Sequence, residues 1–363
     1  MTQTEIACQR LVNQQLSSTG FVSARDIVAH LGAMQAQDYA MAKWAIGTRL
    51  PGSTDISIEQ AIDNAEIIRT HILRPTWHFV AAADLRWMLA LTAPHVRRKM
   101  STYFKQLGLD DEICLKSNKI IAKALEGRQL TREEIMSELK KAGIRTDELR
   151  SAHLMFFAEL EGIACNGSRR GKQHTYALID ERVPATKPML KEEALAELAR
   201  RYFTSHGPAT IKDFIWWSGL PAADARAGLE MAKSVLDCEK MDDKEYWFAV
   251  ANTERAASGA VHFLPAFDEF MVAYTDRGAS LDPAFGKATI TSNGIFKPII
   301  VVNGKVTGLW KRTVKKDRVM VEPLYFNPAV ILDTNVAAAA IKPFGTFLGL
   351  RAEYFITLSL NSV

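Results

Sequence analysis

The sequence predicts an α+β chain of three tandem winged helix-turn-helix units followed by a C-terminal small antiparallel β-barrel. Three observations predict it. A helix-period apolar stretch, a break, a Ser or Thr with an acid three residues on, and a second amphipathic helix recur three times. Each recurrence runs into β-rich residues around a polar turn. Beyond residue 256 the helical pattern gives way to short, turn-separated strands.

In chain order, the first copy is IACQRLVNQQL, a break at SSTGF, then SARDIVAHLGAM with Ser23 and Asp26. The second is NKIIAKALEGRQL and TREEIMSELKKAG, with Thr131 and Glu134. The third is EALAELARRYFTSHGP and TIKDFIWWSGL, with Thr210 and Asp213. Each hydroxyl can cap the helix it opens, and the acid three on favours the positive helix end. The hairpins that follow are IIRTHILRPTWHFVAA, then LMFFAELEGIACNGSRRGKQHTYALID (a helix end before the two strands), then VLDCEKMDDKEYWFAV, with the polar tips as wings. After them VHFLPAFDEFMVAY, KPIIVVNGKVTGLWKR and RVMVEPLYF read as strands, with an Asn-Gly turn in the second and NVAAAAIKPFGTFLG as one helix laid on them. Pro184 and Pro188 mark the seam between the second and third units. The division expected is 1–108 (first unit and a basic helix), 109–186, 187–256 and 257–363. Three such units and a barrel make a curved body suited to enclosing a duplex.

Bulk properties narrow the function. At 363 residues, 48% of them hydrophobic, the chain has ample material for a core. A net charge of +4 and a pI near 8.7 suit a polyanionic partner. The N-terminus lacks a basic region followed by an apolar stretch, and no apolar run reaches the roughly 20 residues of a bilayer span. Cys8, Cys114, Cys165 and Cys238 stand singly, without metal-ligand spacing, which reads as reduced thiols in a cytoplasmic protein. No Gly-rich phosphate loop, nucleophile elbow or His-Glu-x-x-His helix is present, so neither cofactor nor metal is expected.

Winged units mostly bind DNA, and cations concentrate where they would touch it. Residues 69–105 carry Arg69, Arg74, His78, Arg97, Arg98 and Lys99 among others, opposed only by Asp84. The second wing carries Arg169, Arg170 and Lys172. The barrel region adds Arg277, Lys311 and Arg312. These are the expected DNA contacts, although a solvated helix face or an ordinary exposed turn has the same composition. Asp268 and Glu269 suggest acid–base work, yet adjacent strand residues face opposite ways, and pairing with Arg277 or Arg312 explains them as well.

The stretch GAMQAQDYA, residues 32–40, sets Gln35 and Gln37 around one small apolar residue. Glutamine does not titrate, but its amide can hold a water or face a developing cation. The alternative is that the two amides cap or bridge helices. In an extended segment they would point the same way. On a helix they would diverge by about 200°. The catalytic reading therefore requires irregular or extended backbone over 34–38.

The tandem units, the Gln-apolar-Gln stretch, the strand LRPTWHFV and the segments AFDEFMVAYTDR and NGIFKPIIVVNGKVTGLWKR resemble the AlkZ-type bacterial DNA glycosylases, of the superfamily that includes YcaQ. The resemblance runs nearly end to end. It implies a C-shaped body around double-stranded DNA and excision of N7-alkylated purines, including unhooking of interstrand crosslinks. It places the family's glutamine motif on Gln35 and Gln37 as catalytic residues. Gln37, where the YcaQ branch has an acid, sets the chain nearer AlkZ. A nucleoid-associated monomer without membrane, metal, cofactor or obligate protein partner follows. A monofunctional hydrolase suits this chemistry, because neither a deprotonated base nor a lysine Schiff base is required. The alternative from another class is a non-catalytic DNA-binding protein or transcription regulator, separated from the enzyme by turnover.

Overall fold

A computed structural model describes residues 1–147, 149–249 and 259–355. Helix α1 (Gln3–Asn13) opens the chain, and then one plan runs three times: helix, short strand, two helices, hairpin. The first copy comprises α2 (Ala24–Leu31), β1 (Met34–Gln35), α3 (Tyr39–Gly47), α4 (Asp55–Asp63), β2 (Ile67–His71) and β3 (Trp77–Ala81). The long helix α5 (Ala82–Gln106) leads away from it. The second copy comprises α6 (Asp111–Leu125), β4 (Leu130–Thr131), α7 (Arg132–Lys141), α8 (Arg150–Leu160), β5 (Ala164–Asn166) and β6 (Thr175–Leu178), with the short α9 (Ile179–Arg182) after it. The third comprises α10 (Lys191–His206), α11 (Ile211–Ser218), α12 (Ala222–Ala232), β7 (Leu236–Met241) and β8 (Lys244–Ala249), its first strand reduced to a bridge from Ala209 to Trp247. In every copy the first strand pairs with the last, giving sheet orders β1-β3-β2 and β4-β6-β5.

The expected caps form, but the first copy is out of register with the sequence reading. Thr131 and Thr210 cap the second helix of their copies through reciprocal bonds with Glu134 and Asp213. Ser23 instead caps α2, the first helix of its copy, and α1 lies outside the plan. The position equivalent to Thr131 is Asp38, which accepts from the Met41 amide and caps α3. Its third residue on is Met rather than an acid, so no capping-box spacing marks it. The strand ahead of Asp38 is therefore the glutamine stretch itself. In the third hairpin, Asp242 and Asp243 take positive φ values of 48° and 61°, a two-residue turn whose twist matches the strands. Val250 and the seam expected at residue 256 lie outside the described residues.

The C-terminal part holds β9 (Val261–Leu264), α13 (Glu269–Val272), α14 (Gly286–Thr289), β10 (Ile299–Val302), β11 (Lys305–Val314), β12 (Arg318–Tyr325), α15 (Thr334–Leu348) and β13 (Arg351–Tyr354). Two expectations are corrected here. The sheet, ordered β13-β12-β11-β10-β9, is an open half-barrel rather than a closed antiparallel barrel: β9 and β13 are its edges, and β13 enters parallel to β12. Helix α15 packs against both edge strands. FDEFMVAY is not a strand, because Asp268 caps α13 by accepting from the Phe270 amide and turns the chain there.

Hydrophobic cores join these parts. One runs from Ile68, Ile72 and Val80 through α5 and α8 to Phe203 and Trp217. Another sets Trp44 of α3 against Phe263, Trp310, Phe344 and Phe347 of the half-barrel. Among the described residues no helix is long and apolar enough to cross a membrane, and no group of three or more His, Cys, Asp or Glu side chains is placed to hold a metal ion.

One buried ion pair locks the half-barrel to the first copy. Arg49, fully buried, donates all five of its N–H groups: two to Asp268 at 2.8 Å each, and the others to Gln14 O, Gln14 Oε1 and Ala45 O. A guanidinium so completely satisfied tolerates the loss of water. Arg49→Ala strands the Asp268 carboxylate and is expected to cost about 3–5 kcal/mol in denaturant unfolding. A loss within the range of a surface substitution contradicts that role.

Acid should also weaken the fold. Burial, aided by Arg49, holds His262 down at about 4, and burial, aided by Arg74, holds His78 well below the usual 6.5. The unfolded chain binds these protons from about pH 6.5 downward. Stability is therefore full above pH 6.5 and falls as the pH drops toward 4, read as melting temperature against pH. A melting temperature that rises on acidification through this window contradicts the assignment.

Candidate active site

Strand β1 covers Met34 and Gln35, Ala36 continues its pairing by one bond, and Gln37 lies in the bend that leads to α3. Strand β1 runs antiparallel to β3, with Gln35 opposite His78, and the Ala36 amide donates to Trp77 O at 2.7 Å. Met34 and Ala36 pack into the core, and the two glutamine side chains come together on the other side of the stretch. Gln35 is 8% exposed and Gln37 is exposed, with Gln35 Nε2 at 3.4 Å from Gln37 Oε1. The continuous helix that would have separated the two amides does not occur.

Four contacts fix this stretch. The Glu269 carboxylate accepts the Gln35 backbone N–H at 2.8 Å. Trp77 O accepts from Ala36. Arg69 donates Nε and Nη2 to Ala36 O at 3.1 and 3.0 Å, with its guanidinium over the Trp77 ring at 4.2 Å. Arg74 Nη2 donates to Gln35 Oε1 at 3.1 Å. Glu269 is itself buried. Its second oxygen accepts from the Trp217 indole at 3.1 Å and lies 3.6 Å from His206 Nε2. Asp268 and Glu269, adjacent at the start of α13, thus have separate partners: Arg49 for one, and Gln35, Trp217 and His206 for the other. Neither pairs with Arg277 or Arg312. The sequence reading assumed a strand, whereas a helix start aims the two carboxylates independently.

Cations surround the stretch. Lys99 donates to Gly219 O at 3.0 Å, just beyond α11, and Arg277 donates to Met271 O at 2.8 Å. Burial lowers the proton affinity of Arg74, Lys99 and Arg277, the last to about 10, and Arg74 adds to the lowering of the other two. Arg312 lies 3.7 Å from Asp38, beside Gln37. Trp216, 43% exposed, hangs its indole N–H on Val272 O and has the Arg74 guanidinium 5.7 Å from its ring centre.

The remaining expected contacts divide. His78 is fully buried, its Nδ1 at 2.9 Å from Thr76 O, so it is corrected from a DNA contact to a core residue beneath Gln35. Arg69 is spent on Ala36 O. Arg97, Arg98 and Lys99 fan around α5 rather than forming one stripe, since successive helical residues are about 100° apart. Arg97 pairs with Asp111 and Glu161, Arg98 is exposed, and Lys99 turns to α11. In the second wing, Arg169 reaches Glu59 at 3.3 Å, Arg170 pairs with Glu134 at 2.8 Å, and Lys172 is exposed. His174 of the same turn packs edge-on against Tyr39, with ring centres 4.7 Å apart. Lys311 is exposed on β11. Sequence reasoning missed Trp217, Trp216 and Arg49 as parts of the site. The WW pair was visible, but nothing local tells which indole faces inward.

The sequence profile described as DNA glycosylase AlkZ-like matches residues 28–342. A curated relative, the interstrand DNA cross-link repair glycosylase of Streptomyces sahachiroi, is 24% identical over 323 residues, covering 85% of this chain and 87% of the relative. The solved structure of the Streptomyces sahachiroi DNA glycosylase AlkZ aligns with a TM-score of 0.83 at 20% identity, over 98% of this chain and 100% of that one. The profile takes in both the glutamine stretch and the loop bearing Glu269, and the chain belongs to the AlkZ-like DNA glycosylase family.

Proposed function

We propose that the protein is a monofunctional DNA glycosylase that hydrolyses the N-glycosidic bond of N7-alkylated purines in duplex DNA, including purines joined in an interstrand crosslink. The single observation that carries this reading is the pair Gln35 and Gln37, whose side-chain amides approach to 3.4 Å where β1 ends and four contacts fix the stretch. The three helix–strand–helix–helix–hairpin copies, 1–108, 109–186 and 187–256, are read as winged helix-turn-helix units. With the half-barrel of 257–363 they form a C-shaped monomer around the duplex. The relative named as an interstrand cross-link repair glycosylase supports the crosslink as substrate.

The chemistry suits amides. An N7-alkylguanine already carries positive charge, so its glycosidic bond is weakened before the enzyme acts. Water adds its oxygen to C1′, the C1′–N9 electron pair moves onto the base, and the base leaves neutral. The proton that water gives up goes to solvent. The protein needs to hold the water and stabilise the oxocarbenium-like sugar more than to remove a proton. The Gln37 amide, exposed at the surface, serves both ends. A Schiff base is not called for, and Lys43, the nearest lysine in sequence, is buried and bound to Asp55 and Glu59.

Attack from the groove on a stacked nucleotide suits a bulky adduct better than extrusion of the base. The exposure of Gln37 fits that geometry. A cleft of about 790 Å³ opens elsewhere, between α11, α12 and the third hairpin.

Single-turnover excision from a duplex with one 7-methylguanine tests the proposal. Wild-type protein is expected to leave an alkali-labile abasic site without cutting the strand. Gln37→Ala should slow release by about 100-fold, and the double Gln35/Gln37→Ala variant by at least as much, with duplex affinity kept. Tight binding without excision of this lesion or of a bulkier N7 adduct would make the protein a DNA-binding regulator instead.

A further inference from the structure

We propose that Arg74 is a positioning residue that sets the orientation of the Gln35 amide and so leaves the Gln37 oxygen as the acceptor offered to the reacting water. The inference rests on the glycosylase reading above and adds to it a residue with a distinct task.

The argument begins with what a guanidinium can do. It carries only donors, so the atom of Gln35 that faces Arg74 Nη2 at 3.1 Å must be the amide oxygen. The amide nitrogen then points the other way, toward Gln37 Oε1 at 3.4 Å. A chain of one polarity results: Arg74 donates to Gln35, and Gln35 donates to Gln37. Were Arg74 absent, the Gln35 amide could turn over and present oxygen to oxygen. Gln37 would then have to rotate as well, and its donor and acceptor ends would exchange places in front of the sugar. With Arg74 in place, Gln37 keeps one oxygen lone pair and both amide protons free for the substrate side.

The backbone supports this aim. Arg74 lies in the turn between β2 and β3, directly after Leu73, whose φ of 61° is strained for a branched side chain. Two contacts hold that strain. The Leu73 amide donates to Thr92 Oγ1 at 3.3 Å. Gly219, at the C-terminus of α11, presses so close that a Cβ there would meet Leu73 O at 2.2 Å. Two elements, α5 and the end of α11, therefore fix one strained peptide, and the next side chain in sequence reaches Gln35. No ion pair neutralises Arg74 among the described residues, and its Nε is buried without a partner. A half-buried cation whose one side-chain hydrogen bond goes to a neutral oxygen, with the Glu269 charge felt only at a distance, adds little to stability. It is well placed to orient that acceptor.

The test uses the full chain labelled with ¹⁵N-glutamine, with Gln35 and Gln37 side-chain resonances identified by their loss in Gln35→Ala and Gln37→Ala. In Arg74→Met both sets of NH₂ resonances are expected to move, and the single-turnover rate constant for 7-methylguanine release to fall by about 100-fold at unchanged half-saturating protein concentration. Arg74→Lys, which keeps a charged donor, should restore part of the rate and part of the wild-type shifts. Unmoved Gln35 and Gln37 resonances in Arg74→Met overturn the proposal. So does a loss confined to duplex affinity, which would make Arg74 the phosphate contact its sequence setting suggests. Absence of excision by the wild-type chain, of 7-methylguanine and of a bulkier N7 adduct alike, refutes the glycosylase reading, while the amide resonances still decide the orienting role.

Discussion

The Glu269 carboxylate is the interaction on which the site depends. It is buried, and an unpaired carboxylate in that position would cost far more than a domain can spare. Three segments meet it: the Gln35 amide from the first copy, the Trp217 indole from the third, and His206 from the end of α10. Its neighbour Asp268 binds Arg49, and Arg49 in turn holds Gln14. Gln14 passes the network on to Tyr274, whose hydroxyl donates to His206 O. Two consecutive acids at one helix start thus pin the half-barrel loop to α1, to β1 and to the third copy. The glutamine stretch cannot shift without disturbing that network.

Charge is distributed around this hub in a way that suits a polyanion. Arg74 lies close enough to lower the proton affinity of Lys99 and of Arg277, and the bonds these three make here go to neutral oxygens. Arg97 and Arg170 are committed to carboxylates. In the proposed DNA complex Lys99 and Arg277, rather than Arg74, are the members of the first group available to an arriving phosphate, neither being in an ion pair among the described residues. Salt-dependent affinity is the natural consequence. Trp216, exposed beside Arg74, gives that cluster an apolar wall.

Local chemistry was legible in the sequence, and long-range chemistry was not. The caps at Ser23, Thr131 and Thr210 and the Asn303-Gly304 turn form as read, because each depends on residues within one turn. The repeat itself was visible, yet its first copy was read one helix early, since α1 carries the same apolar period as α2 and Asp38 lacks an acid three residues on. Irregular or extended backbone was required over 34–38: pairing with β3 supplies the extended part as far as Ala36, and Gln37 lies in the bend that leads into α3. Glu269 was seen as a carboxylate without a task, because its partners lie 234 and 52 positions away. Arg69 and Arg74 looked like phosphate contacts for the same reason: only the folded chain brings Ala36 O and Gln35 Oε1 to them.

The most direct test is the rate of base release by Glu269→Gln, measured beside its duplex affinity. The substitution keeps shape and an acceptor oxygen but removes the charge that holds Gln35 N–H and the Trp217 indole together. The account predicts a slower chemical step with DNA binding retained, and Gln37 still exposed at the surface. An unchanged rate, or a loss explained wholly by weaker binding, would contradict the claim that this buried carboxylate positions the glutamine pair.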